Sequence, residues 1–401
     1  MISLIFILLV LVVLSAIIFY IIKFKPIYSS KVKDLYAEGL DLMITGRRRA
    51  AYKNFKDIIQ KDSDNIKAYL RLGQVLREGG NHAQAIKIHR SLIHRRILSQ
   101  YEKVELHKNL ALDYYKVSNL NAAINELKTL LKIEKNNEWA VFQLAKFYRA
   151  KGDWKEAGTY YEKYQKITDK VDRHKLALYK IQEGRTLIKS KEFLLARKKF
   201  EDALNINSDL AVAYYFIGNS YASESEEAYQ ESVGSNSIDG DDNDIEQAKI
   251  ILSKAIPMWV KYAELKPEQA WMVIHLLKDG LFALDRYSEF EDILKQILKH
   301  DSDNIEVIAS LSEIYSHRGE NNEAIELIDS VLEKDSTSLI VRLIKIKLEA
   351  KKEKHSVDFI RGLDDIIHFL VTDERFQIYK NTATDSDILW LYEANDDKGV
   401  N

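Results

Sequence analysis

The chain has 401 residues, enough for two or three globular domains or one elongated repeat array, and three prolines and fifteen glycines are too few to interrupt many helices. It contains no cysteine, which excludes disulfides, thiolate nucleophiles and cysteine-ligated metal sites. A formal net charge of −2 identifies no partner by itself, so any electrostatic argument rests on how charge is distributed.

Residues 2–22 carry no charge, a run long enough to cross a bilayer's hydrocarbon core at about 1.5 Å per residue. No Lys or Arg precedes the run and no small-residue cleavage site follows it, so it reads as a transmembrane anchor over 1–25 rather than a signal peptide. Lys23, Lys25, Lys31 and Lys33 follow the span, which by the positive-inside rule gives a single-pass protein with the bulk of the chain cytoplasmic. From Lys23 to Arg96 there are seventeen Lys and Arg against seven Asp and Glu, a basic stretch suited to anionic lipid head groups. No nucleic-acid-binding module or Gly-rich phosphate loop accompanies it, and no nucleic-acid partner is expected.

Downstream, a small residue in one helix is followed about twelve positions later by an alanine: Gly39/Ala51, Gly73/Ala85, Ala111/Ala123, Ala145/Ala157 and Gly184/Ala196. The frame continues to Gly218/Ala248 across an insertion, to a degenerate pair Lys278/Phe290, and to Ser312/Ala324. Units then start at 32, 66, 104, 138, 177, 211, 271 and 305, mostly at the 34-residue period of tetratricopeptide helical hairpins. Small side chains at the paired positions let two helices approach closely, and turn signals such as Gly79-Gly80 and Lys151 to Asp153 separate them. The expected fold is all-α: a tetratricopeptide-repeat α-solenoid over 32–338, C-terminal helices over 339–372 and a tail over 373–401.

The phrase Asp-Ser-Asp-Asn-Ile at 62–66 returns at 301–305, each time across a unit boundary. Asp or Ser there can cap the coming helix while Asn65 or Asn304 tolerates the turn, so the phrase reads as a structural joint. His82, His89 and His94 read as packing and turn residues, with His89 directed into the hairpin interface. Residues 222–244 hold eight acidic residues and no Lys or Arg, which reads as a mobile acidic insertion over about 222–245. Asp239, Asp241 and Asn243 have calcium-loop spacing, but Asp244 replaces the turn glycine and Ile250 the bidentate Glu, so no metal is expected. There is no His-Glu-x-x-His, Gly-x-Ser-x-Gly or Walker sequence, and neither catalysis nor a cofactor is expected.

Residues 70–93, with the helix at Gly39 to Met43 and the run Ala-Ile-Lys-Ile-His at 85–89 read as a turn, resemble the lipopolysaccharide assembly protein B family of membrane-anchored tetratricopeptide proteins. The similarity in sequence concentrates in residues 36–130. It implies an adapter that brings a lipid-biosynthetic enzyme to a membrane protease and so couples lipopolysaccharide synthesis to proteolysis. Family members end in a zinc knuckle with two Cys-x-x-Cys pairs. Here those positions fall on Ile378, Asn381, Tyr392 and Asn395, so zinc is not expected and the tail is a degenerate remnant. Without metal, the tail is either disordered or packed on the last hairpin through Phe376, Ile388, Leu389 and Trp390.

The solenoid's concave face is the expected protein-binding surface. First helices of successive units contribute Lys67, Arg71, Gln74 and Arg77, then Asn109, then Gln143, Lys146 and Arg149, then Arg185 and Lys189. This basic, amide-rich row suits an acidic or extended partner segment. The alternative reading is a structural envelope or cell-division-associated scaffold unrelated to lipopolysaccharide.

Overall fold

The computed structural model describes residues 13–15, 19, 31–95, 98–234, 242–302, 304–334, 339–353, 355–372 and 386–396. The expected membrane span at 2–22 therefore lies almost entirely outside the described residues. Among the described residues no helix is long and apolar enough to cross a membrane.

Two compact units divide the chain, Met1–Asp169 and Lys170–Asn401. The first holds α1 (31–44), α2 (Arg48–Lys61), α3 (Ile66–Glu78), α4 (His82–Ile93), α5 (Gln100–Lys116), α6 (Leu120–Ile133), α7 (Glu138–Lys151) and α8 (Trp154–Thr168). Consecutive helices pack as hairpins around Ala51, Phe55, Ile58, Ala68 and Ala85, then around Leu70, Leu92, Leu106 and Leu110.

The second unit begins with α9 (Arg173–Lys189), α10 (Phe193–Ile206), α11 (Ala211–Gly234), α12 (Asp242–Ser253) and α13 (Ala255–Leu265). It continues through α14 (Trp271–Ala283), α15 (Ser288–His300), α16 (Ile305–His317), α17 (Asn321–Lys334), α18 (Leu339–Lys352), α19 (Val357–Thr372) and α20 (Ser386–Asp396). One core runs from Ala177 to Val307 and Leu311 and takes in Ile388 and Leu391 of α20; a second lies among α16, α17, α18 and α19.

The repeat frame is written in backbone geometry. A left-handed residue closes the hairpin at Gly46, Gly80, Ser118, Gly152, Lys191, Asp285 and Gly319, each fourteen residues after a unit start. At Gly80 its amide donates to the Arg77 carbonyl at 3.1 Å and the next amide, Asn81, reaches back to Leu76 at 2.8 Å. The same pair of bonds recurs at all seven positions, a Schellman ending that satisfies the last carbonyls of the first helix.

Close approach occurs where the small residues fall. A Cβ on Gly73 would stand 2.3 Å from His89, and one on Gly184 2.3 Å from Phe200. In each case the aromatic ring lies four residues after the paired alanine, one turn along the second helix. Its place is possible only because the facing helix shows bare backbone. The run 85–89, read from sequence as a turn, is the middle of α4.

In the sixth hairpin the residue facing Gly218 is Trp259 of α13, so the paired alanine is Ala255 and not Ala248. The acidic stretch also differs from expectation: 222–234 continues α11, and 242–245 opens α12. Order comes from specific partners, with Glu224 paired to Arg197 at 2.6 Å, Glu227 paired to Lys191, and the Ser225 hydroxyl donating to the Ala248 carbonyl at 2.7 Å. Residues 235–241, including Asp239 and Asp241, lie outside the described residues. At both copies of Asp-Ser-Asp-Asn-Ile the cap is the asparagine: Asn65 accepts from the Ala68 amide and Asn304 from the Val307 amide, each at 3.1 Å. Each Asn also donates to the Asp three residues earlier, so that Asp holds the cap rather than forming it.

Candidate protein-binding faces

The row on α3, α5 and α7 separates into internal and accessible members. Arg77 donates from Nη1 to Asp113 Oδ1 at 2.8 Å and to Asn109 Oδ1 at 3.1 Å. The other Asp113 oxygen lies 2.5 Å from His89 Nδ1, and His89 Nε2 lies 3.1 Å from the Leu70 carbonyl. His89 and Asp113 are fully buried, and Asn109 spends its amide N–H on the Glu105 carbonyl at 2.8 Å. This network ties α3, α4 and α5 together and removes Arg77 and Asn109 from the accessible row. A buried carboxylate between two such donors makes the junction intolerant of losing any one of them.

Arg71 donates to Gln74 at 2.6 Å, and Gln74 to Glu78 at 2.8 Å, which lays these side chains along α3. Gln143 and Arg149 on α7 are half-buried, whereas Lys67 and Lys146 are exposed. Among the described residues no carboxylate pairs with Lys67 or Lys146. Sequence reasoning missed Asp113, although an acid four residues after Asn109 on the same helix face was a signal that the arginine had an internal partner.

In the second unit Lys189 is exposed, but Arg185 is engaged by α20. Its Nη1 donates to the Leu391 carbonyl at 2.8 Å and to Gln182 Oε1 at 3.0 Å, while the guanidinium lies 4.4 Å from the Tyr392 ring centre. Burial lowers the pKa of Arg185 from its usual value, with Tyr392 and Tyr215 acting in the opposite sense. Of the tail residues expected to pack, Ile388 is buried, Trp390 meets Tyr179 edge-on at 5.9 Å, and Leu389 is exposed. The buried aliphatic partner is Leu391 instead, and the surface it meets is α9 rather than the last hairpin. Phe376, Ile378 and Asn381 lie outside the described residues.

A cavity of about 320 Å³ opens among α14, α16, α18 and α19, with Trp271, Ile274, Ile344 and Ile367 in its walls. Glu313 accepts from Lys347 at 2.7 Å and from Lys278 at 3.3 Å, and Lys347 also pairs with Asp364. Burial pushes the Glu313 carboxyl up, but the two lysines outweigh it and hold the pKa below the usual value. Burial, then Lys351 and Lys347, push His317 down. Lys278, Glu313 and Lys347 stand about one repeat apart, a spacing that places charges side by side on neighbouring first helices. Among the described residues no group of three His, Asp or Glu side chains is arranged to hold a metal ion.

Two tetratricopeptide repeat models match the chain, at residues 36–96 and 140–169. These two stretches are tetratricopeptide repeats, a repeat type typical of protein-binding scaffolds that are not catalytic. Lipopolysaccharide assembly protein B of Escherichia coli K12 is 24% identical over 142 residues, which cover 35% of this chain and 36% of that protein. The Haemophilus influenzae protein of the same name is 24% identical over 199 residues, 48% of this chain and 50% of that one. The match thus spans between a third and a half of these relatives. Among solved structures, the C-terminal part of a TPR repeat-containing protein from Cytophaga hutchinsonii is 15% identical, with a TM-score of 0.34 over 76% of this chain and 97% of that one. The tetratricopeptide protein of Parabacteroides merdae is 13% identical, with a TM-score of 0.32 over 80% and 98%.

Proposed function

We propose that the chain is an adapter, tethered to a bacterial inner membrane through residues 2–22, that gathers envelope-lipid biosynthesis and membrane proteolysis by binding proteins of both kinds. The reading is supported by the distant similarity to lipopolysaccharide assembly protein B and by the tetratricopeptide repeats, whose work is protein binding. The observation that carries the binding role is the pair of exposed lysines, Lys67 on α3 and Lys146 on α7, beside the half-buried Arg71, Gln74, Gln143 and Arg149. Exposed cations beside amides favour an acidic or extended partner segment. The positions that align with the family's zinc-knuckle cysteines are Ile378, Asn381, Tyr392 and Asn395, so the adapter we propose does not draw on zinc bound at those four positions.

Affinity purification of the full chain in mild detergent, followed by mass spectrometry, tests this. A membrane protease or a lipid-biosynthetic enzyme should co-purify, and the joint variant Lys67→Glu, Lys146→Glu should lose it while keeping its helical content. Recovery of copies of the chain alone would overturn the adapter and favour a structural scaffold.

A further inference from the structure

We infer that the side of α9 covered by α20 is a recognition site for a short amphipathic helix, and that α20 is its built-in occupant. The partner it fits carries the same pattern as α20: an acid, aliphatic residues one and four positions later, and an aromatic at the fifth. This deepens the protein-binding reading by naming a surface and the chemistry it selects.

The contacts on α20 are specific side chain by side chain. His174 Nδ1 lies 3.1 Å from the Asn207 amide nitrogen, which can only donate, so Nδ1 accepts and the ring proton sits on Nε2. That Nε2 lies 2.7 Å from Asp387 Oδ1, so the ring proton is aimed at a carboxylate. Ile388 and Leu391, three residues apart, enter the core that contains Leu178 and Ile181, and Trp390 sets its edge on Tyr179. Tyr392 covers the Arg185 guanidinium.

Two further contacts read the helix main chain. Gln182 Nε2 and Arg185 Nη1 both donate to the Leu391 carbonyl, at 2.5 and 2.8 Å. Gln182 is only 1% exposed, and its amide donor finds its acceptor on α20. A buried amide and a half-buried guanidinium aimed at one carbonyl form a polar clasp inside an apolar patch, the arrangement by which a groove fixes the register of a bound helix. Without a helix in place, Gln182, Tyr179 and the aliphatic side chains around them would face water. An eleven-residue helix such as α20 is only marginally stable by itself, so a partner helix with the same pattern can replace it.

The test uses full-length protein in mild detergent and a fluorescein-labelled peptide of residues 384–397. In one variant Ile388→Glu and Leu391→Glu release α20 while leaving α9 unaltered. Fluorescence anisotropy should show the peptide binding the released variant at least about tenfold more tightly than the parent, in which the attached α20 competes. Peptides with Asp387→Ala or Tyr392→Ala should bind more weakly. Combined with His174→Ala in the released protein, Asp387→Ala should cost no more than either change alone, because both break one contact. His174 is half exposed, so its substitution leaves the packing intact. Equal peptide binding by parent and released protein, no binding by a released protein of normal helicity, or additive losses at His174 and Asp387 would each overturn the proposal. Those failures would leave co-purification of a protease or lipid enzyme untouched, so the two ideas fall separately.

Discussion

Gly73→Ala tests the close approach on which the hairpins depend. In an isolated helix the change is favourable by about 1 kcal/mol. Here the new Cβ would stand 2.3, 2.4 and 2.8 Å from three atoms of the His89 ring, so the ring must retreat by about 1 Å to restore ordinary contact near 3.4 Å. It has nowhere to go without loss, because Nδ1 lies 2.5 Å from Asp113 and Nε2 3.1 Å from the Leu70 carbonyl. Overpacking costs about 1–3 kcal/mol and a buried polar group deprived of its partner about 1–3 kcal/mol. Against the propensity gain, a net destabilisation of about 1–5 kcal/mol is expected. Gly362→Ala in α19 is the control, since nothing lies within 4 Å of its Cβ; it should stabilise by about 0.5–1 kcal/mol. Urea unfolding followed by far-UV circular dichroism should move the two midpoints in opposite directions. A Gly73→Ala protein as stable as the parent would refute the reasoning.

Asp113→Ala should cost about 3–5 kcal/mol, because it leaves Arg77 and His89 buried without their carboxylate; Arg77→Met in the same chain should recover part of it. A loss below about 1 kcal/mol in urea would show that the network is not a structural junction. Ser118→Gly should raise stability by about 0.5–1 kcal/mol by relieving a left-handed backbone at φ 58°, and a fall in the thermal midpoint would count against that assignment. The second unit should weaken on acidification in two stages. The folded-state pKa of His317 is below its free value of 6.5, so the unfolded chain takes up the proton first and stability falls as pH drops through about 6.5. Glu313 is held below its free value of 4.5, so its stabilisation is present above about 4.5 and is lost as pH falls further through the folded-state value. Thermal midpoints from pH 8 to about pH 2 check both stages: His317→Asn should flatten the upper one and Glu313→Gln the lower, and unchanged curves would remove these groups as the cause.

The hairpin frame was legible because it is set by backbone demands that few residues meet. A left-handed turn favours glycine, and close helix approach favours glycine or alanine, so both leave a period that survives Ser118, Lys191 and Asp285 in the turn position. The sixth hairpin misled for a related reason. Two alanines, Ala248 and Ala255, compete for one role, and only the aromatic residue four positions later separates them: Ala255 has Trp259, as Ala51 has Phe55 and Ala196 has Phe200, whereas Ala248 has Leu252.

Fate of the basic row could not be read in the same way, because a cation's role depends on what its neighbours in space supply. Arg77 and Lys67 share α3 and similar chemistry, yet Asp113 lies beside one and no carboxylate pairs with the other among the described residues. Such pairs carry a residue number offset near one repeat: Arg77 with Asp113, Lys278 with Glu313, Lys347 with Glu313. Once the frame is known, charges at matching positions of consecutive first helices can be paired in advance, and those left over are the candidates for binding. Arg185 escapes even this rule. Its partner, the carbonyl of Leu391, is 206 residues away and belongs to a segment outside the repeat, so nothing periodic announces it. Periodicity therefore exposes what holds the array together and conceals the contact most concerned with recognition, since a site that discriminates among partners has to depart from the repeat that surrounds it.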